Sequence, residues 1–187
     1  IHQHGTLTAG QTVLVQGAGG VSVFALQLAK LSGARVLAIA SRDDDDKAKL
    51  LKDLGAETVV NYGKNPDWEK EILKLTNGLG VDKVVEVAGE KTINKSVAST
   101  KAGGNVALVG FASGMGGGVS PLEIMTRGIQ MGATTMGSRS DFEAMLAAMA
   151  SAEMKPVIDS IFKFDDYQKA YDRLQSGNVM GKVVIEF

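Results

Sequence analysis

The sequence contains no cysteine. Disulfides and thiolate metal sites are thereby excluded. Histidine is almost as scarce: His2 and His4 are the only two, both in the first four residues. A histidine metal centre, a proton relay or a Ser-His-Asp triad in the body of the chain is ruled out with them. Charge of one sign is also missing, since the formal net charge is −1. No basic excess points to nucleic acid, and no charge block points to a membrane surface. No apolar run approaches the roughly 20 residues that span a bilayer, and no signal-peptide pattern is present. A soluble, cytoplasmic protein is the expectation.

What is present is a chain of 187 residues, 44% of them hydrophobic, enough for one core and an appended element. The first ten residues are polar and aperiodic, and the chain begins at Ile1. It is expected to be a domain of a longer enzyme.

Short apolar runs alternate with helical patterns, as in βαβ units around a parallel sheet. Thr12–Gln16 reads as a buried strand and Val21–Leu31 as a helix with Phe24, Leu28 and Leu31 on one face. Arg35–Ala40 is the second strand, Lys47–Leu54 a helix stopped by Gly55, and Thr58–Asn61 the third strand. A helix over Pro66–Thr76 leads to a fourth strand at Lys83–Val87, and a helix over Thr92–Ser99 to a fifth at Asn105–Val109. A glycine-rich stretch, Phe111–Ser120, reads as flexible. Beyond it come a helix at Pro121–Arg127, a sixth strand at Ile129–Thr135 and a helix at Asp141–Ala150 capped by Ser140 or Asp141. The tail changes style, with Pro156–Phe164 extended, Asp165–Ser176 helical and Gly181–Phe187 a last strand.

Chemistry concentrates in Gln16-Gly17-Ala18-Gly19-Gly20-Val21-Ser22, between the first strand and the first helix. Gly17 permits a tight turn, and Gly19 and Gly20 let backbone approach a pyrophosphate. The helix that follows aims unpaired N–H groups and a positive dipole end at the phosphates. Ser22 replaces the third glycine of G-x-G-x-x-G, where close helix–strand packing is decided. The flanking strand, helix and next strand all fall where a dinucleotide site requires them. The fold expected is a doubly wound Rossmann sheet of order 3-2-1-4-5-6, with the glycine loop at the switch point.

The end of the second strand sorts the cofactors. The position of the NAD-type acidic residue is Ala40, followed by Ser41 and Arg42. A hydroxyl and a guanidinium suit a 2′-phosphate, which favours NADP(H) over NAD(H). The run Asp43–Asp46 argues the other way if it lies close, and otherwise caps the next helix.

The segments GQTVLVQGAGGVSVFALQLAKLSGARVLAIAS, LGAETVVNY, PDWEKEILKLTNGLGVDKVVEVAG, VALVGF and GKVVIEF together resemble the medium-chain dehydrogenase/reductase superfamily. The nearest branch is that of zinc-type alcohol dehydrogenase-like and quinone oxidoreductase-like proteins, matched at the C-terminal nucleotide-binding part. The resemblance implies a Rossmann domain over residues 1–150 and a return segment over 151–187 that packs on an N-terminal GroES-like domain. That second domain has no counterpart in these residues, and any zinc, catalytic acid or metal ligand is expected there. The same resemblance places the pyrophosphate on Gly17, Ala18, Gly19, Gly20 and Val21, and the adenosine ribose by Ser41, Arg42 and Tyr62. It sets Val87 and Ala88 along the ribose and adenine, and Val109, Gly110 and Phe111 towards the nicotinamide. Ser138 and Arg139 fall near the nicotinamide end, and Lys182 near a phosphate. It also implies a homodimer in which Ile129–Thr135 pairs with its two-fold copy. The segment carries no Lys, Glu or Pro to block an exposed edge.

Several residues have blander readings. Tyr62 suits packing as well as a cofactor contact, Trp68 suits packing on the sheet, and Met125, Met131, Met136, Met145 and Met149 suit core and interface. Glu86, inside an apolar strand, is either a hydrogen-bonded structural group or a polar floor of the cleft. The function expected is hydride transfer between a nicotinamide cofactor and a small alcohol, carbonyl or quinone-like compound, carried out by the full-length parent. The alternative is a non-catalytic NAD(P)-binding module with a structural or sensing role.

Overall fold

The structure is a computed structural model and describes residues 6–40 and 45–187. Strands and helices alternate as β1 (Thr12–Gln16), α1 (Gly20–Leu31), β2 (Arg35–Ala40), α2 (Asp45–Asp53), β3 (Thr58–Asn61) and α3 (Trp68–Leu75). They continue as β4 (Val81–Glu86), α4 (Ile93–Ser99), β5 (Thr100–Leu108), α5 (Pro121–Arg127), β6 (Gln130–Ala133) and α6 (Arg139–Ser151). The tail comprises β7 (Ile158–Lys163), a 3-10 turn at Phe164–Asp166, α7 (Tyr167–Gln175) and β8 (Lys182–Glu186). Six parallel strands form one sheet in the order β3-β2-β1-β4-β5-β6, as the sequence predicts. The order reverses between β1 and β4, and α1 starts beside that reversal.

β1 and β2 carry apolar residues on both of their faces because both are covered. Val13 and Val15 of β1 and Val36, Ala38 and Ala40 of β2 pack with Val23, Leu26 and Leu51 on one face. Leu14, Leu37 and Ile39 point the other way, into a second layer with Trp68, Ile72 and Val97. Each such Val, Leu or Ile side chain, fully buried, contributes about 1.5–3 kcal/mol. Trp68 is 3% exposed and opens α3 under the sheet, the packing role its position suggests.

The structure corrects several details of the sequence reading. The buried face of α1 is Ser22, Val23, Leu26 and Ala29, not the Phe24–Leu28–Leu31 stripe that side-chain size suggests. Small residues are needed where the helix lies close against the sheet. The larger ones flank an open trough instead, and Leu31 is exposed. β5 begins at Thr100, five residues earlier than expected, because an irregularity in its pairing with β4 absorbs Gly103 and Gly104. Gly103 adopts a φ of 71°, and a Cβ on Gly104 would collide with Thr100. α6 is capped by Ser138, two residues before the expected cap, through a reciprocal capping box with Asp141. Of the five methionines named above, Met149 is buried, whereas Met125 and Met136 are exposed.

β7 and β8 form a separate parallel pair, with α7 packed against both. This tail is tied to the main domain at several points. Gly181 N–H donates to the Ala18 carbonyl at 3.0 Å, and Gln27 Nε2 donates to the Lys155 carbonyl at 2.9 Å. Val157 and Met180 pack on the core layer beneath α1.

Candidate functional site

The switch point is built from the ends of β1, β4 and β5. After Gln16 the chain turns at Gly17, whose φ of 75° suits glycine, and Gly17 N–H donates to the Ile39 carbonyl at 2.7 Å. Gly19 is the N-cap of α1, and it offers no side chain to cap the helix. The first intrahelical bond runs from Val23 N–H to the Gly19 carbonyl, so the N–H groups at the start of α1 point out of the helix. A Cβ placed on Gly17 or Gly19 would meet nothing within 4 Å. The loop therefore presents bare backbone and a positive dipole end to an open space. Ser22 fits the third glycine position because its buried hydroxyl donates to the Gln16 carbonyl at 2.5 Å. The helix stays close to β1 with its polar atom satisfied.

The opposite wall is made by the loops after β4 and β5, and their backbones nearly touch. A Cβ on Gly110 would lie 2.8 Å from the Val87 carbonyl oxygen, so glycine is needed there by close approach. Ala112 N–H donates to the Val87 carbonyl, Ser113 N–H to the Ala88 carbonyl at 2.7 Å, and Glu90 N–H to the Gly114 carbonyl at 3.1 Å. Ser113 Oγ adds a second bond to the Ala88 carbonyl. The start of the glycine-rich stretch, read as flexible from its composition, is thus stitched to the β4 loop.

Beneath both walls lies Glu86, 0% exposed. Its Oε1 accepts from Ala88 N–H, Gly89 N–H and Thr92 Oγ1, and its Oε2 accepts from Gln16 Nε2 and Ser96 Oγ. Gln16 Oε1 in turn accepts from Val87 N–H. Thr92 and Ser96 belong to this network yet escape motif reading, and Gln16, which opens the glycine motif, gains a role there that the motif does not give. The available signal was a polar side chain, Gln16 and Glu86, at the C-terminal end of each of two neighbouring buried strands.

The other sequence-predicted residues are spread around the carboxyl edge of the sheet. Gly17, Ala18, Gly19, Gly20 and Val21 lie together in the loop and first turn, and Val87, Ala88, Val109 and Gly110 lie together across from them. Phe111 is exposed just beyond. Tyr62 is exposed at the end of β3, held by its N–H on the Ala40 carbonyl. Ser138 caps α6, and Arg139 pairs on the surface with Glu143. Lys182 comes from the tail, where a bridge between Gly19 and Gly181 carries it to the loop. Its side chain crosses Gly20 and lies over the Phe24 ring, 5.9 Å from the centroid. Ser41 and Arg42 lie outside the described residues.

Alongside the loop, an open apolar trough of about 500 Å³ runs between α1 and α6, lined by Val21, Phe24, Leu28, Val85, Ala107 and Phe142. Lys83 borders it, and burial pushes its ammonium below the usual lysine value against the opposing effect of Asp82.

A model of the zinc-binding dehydrogenase family matches residues 20–151, well over half of the chain. The chain belongs to that family. It is 38% identical over 183 residues to a zinc-type alcohol dehydrogenase-like protein of Schizosaccharomyces pombe, covering 95% of this chain and 52% of that protein. Among solved structures, an NAD-dependent alcohol dehydrogenase superposes with a TM-score of 0.85 at 34% identity, covering 97% of this chain and 52% of that one. A mycobacterial protein complexed with NADPH superposes with a TM-score of 0.80 at 30% identity, covering 95% and 57%. The chain thus spans about half the length of the relatives it matches, and its resemblance to the medium-chain dehydrogenase/reductases holds along nearly all of its own length. The metal of the family name does not fit these residues. There is no cysteine, and among the described residues no group of three His, Cys, Asp or Glu could hold an ion. Nor is any described helix long and apolar enough to cross a membrane.

Proposed function

We propose that this chain is the dinucleotide-holding part of an NAD(P)(H)-dependent oxidoreductase. The observation that carries the reading is the uncapped start of α1, set behind a glycine turn at the reversal of strand order. Pyrophosphate would lie against Gly17, Ala18, Gly19, Gly20 and Val21, with Lys182 beside it. Val87 and Ala88 would border the ribose and adenine, and Val109, Gly110 and Phe111 the nicotinamide side, with Ser138 and Arg139 beyond. Tyr62, with Ser41 and Arg42, would border the adenosine ribose. The Ser41-Arg42 pair, in place of an acidic residue, supports NADP(H) over NAD(H). Relatives named for NAD and complexed with NADPH make a dinucleotide of one kind or the other the natural ligand class.

When bound, the nicotinamide supplies the hydride chemistry. This chain orients it and contributes electrostatics. The substrate of the full-length parent would be a small alcohol, carbonyl or quinone-like compound, and its acid or metal ligands would belong to another domain. Residues 151–187 would form a return segment onto that domain. Ile161, Phe164 and Phe187, all exposed on the tail, support such a contact. A cytoplasmic location and a homodimer joined along β6 complete the reading. Calorimetric titration of the chain with NADPH and NADH tests its core. Saturable binding of either supports it, and binding of neither overturns it.

A further inference from the structure

We infer that Glu86 is a positioning residue for the dinucleotide, acting as a buried strut that fixes the spacing of the three loops around the cleft. The inference rests on the dinucleotide reading and goes a step further, because Glu86 touches no part of the open space.

All three loops are bonded to this one residue. Through Gln16 Nε2, at 2.8 Å from Oε2, its side chain reaches the end of β1, where the glycine loop begins. Through Ala88 N–H at 2.8 Å and Gly89 N–H at 2.9 Å, its other oxygen folds the β4 loop back on itself. Its own main-chain carbonyl accepts from Val109 N–H at 2.8 Å and Gly110 N–H at 3.2 Å, the residues that leave β5. Gln16 closes the circuit by accepting from Val87 N–H at 3.3 Å. Val87, Ala88, Val109 and Gly110 thus each donate an N–H to Glu86 or to its partner Gln16. Five side-chain and backbone donors converge on the two oxygens of this fully buried carboxyl. A network so completely satisfied holds one geometry, whereas one misplaced donor in a buried site forces a rearrangement. If Glu86 mattered to stability alone, its loss would weaken the fold and leave the affinity of the folded molecules unchanged.

The amide–carboxylate pair permits a test by exchange. Glu86→Gln sets one amide nitrogen against that of Gln16, which breaks the side-chain link between the ends of β1 and β4 while the β4 loop keeps its acceptor. Gln16→Glu combined with Glu86→Gln restores a donor opposite an acceptor. Thr92→Val removes one half-buried donor and serves if Glu86→Gln proves insoluble. Each variant of the 187-residue chain is titrated with NADPH and NADH well below its melting temperature, and its melting curve and amide hydrogen exchange are recorded in parallel. The expected result is a tenfold or greater rise in Kd for Glu86→Gln, faster exchange at Val87–Gly89, and recovery to within threefold in the exchanged pair. Thr92→Val should raise Kd by a smaller factor. Affinity within twofold of wild type in a folded Glu86→Gln or Thr92→Val chain overturns the inference, as does a folded exchanged pair that does not recover. A wild-type chain that binds neither dinucleotide overturns the cofactor reading itself, and that outcome is separate because no variant is needed to reach it.

Discussion

Gly19 sits at the N-cap of α1 with φ −70° and ψ 173°, an extended conformation open to any residue. A Cβ there meets no atom within 4 Å, so Gly19→Val leaves the unliganded fold without a clash. The cost to stability is that of a poor N-cap, about 1 kcal/mol. The bound state is different. The branched side chain would fill the space in front of the first N–H groups of α1, where a pyrophosphate would lie. Losing about two charge-assisted hydrogen bonds, each worth about 1.5–3 kcal/mol, removes about 3–6 kcal/mol of binding. That corresponds to a rise in Kd of about two to four orders of magnitude, equal for NADPH and NADH. Calorimetric titration gives the affinities, and a thermal melt confirms that the variant is folded. A folded Gly19→Val chain that binds within threefold of wild type would refute the reasoning and put the phosphates elsewhere.

Arg42→Ala should cost about 1.5–3 kcal/mol of NADPH binding and spare NADH; equal losses for both in parallel titrations would show that Arg42 reads no 2′-phosphate. The Asp159 carboxyl is held at about 2, chiefly by the hydrogen bond from the Arg173 guanidinium and against the opposing effect of burial. Its folded value lies below the unfolded value of about 3.9, so its stabilisation is complete above about pH 5 and is lost as pH falls towards 2. Asp159→Asn should therefore flatten the acid limb of a melting-temperature profile and destabilise the tail by about 1–3 kcal/mol at pH 7; an unchanged acid limb would count against this assignment. Thr134 N–H donates to the Leu108 carbonyl just past β6, and Thr135 follows in the segment expected to pair. Thr135→Pro should yield monomers in sedimentation if copies pair along β6, whereas a persistent dimer would locate the interface elsewhere.

The order of the sheet could be read from the sequence because β1 and β2 carry apolar residues on both faces and each strand is followed by a helix of the right length. The glycine loop could be read because the chemistry of phosphate approach restricts residue type. What escaped depends on distant partners. Nothing local to Val21–Leu31 says which stripe of α1 meets the sheet, since Phe24 and Leu28 are as apolar as Val23 and Leu26. The early start of β5 hides behind Gly103-Gly104, which look like a strand breaker until the pairing irregularity with β4 is seen. The role of Glu86 could be narrowed to two possibilities, but its partners lie 70 residues away at Gln16 and 10 away at Ser96. No spacing rule joins them.

The bond from Gly181 N–H to the Ala18 carbonyl has a temporal consequence. Most of the chain lies between its ends, so it can close only once Gly181 has been made. During synthesis the sheet and α1 can assemble while the tail is still being made. The glycine loop acquires Gly181 and Lys182 only after those residues have emerged. A chain cut before Gly181 would therefore have its six-stranded sheet and an unfinished rim. Ligand binding there, if Lys182 contributes to it, requires that synthesis has passed residue 182.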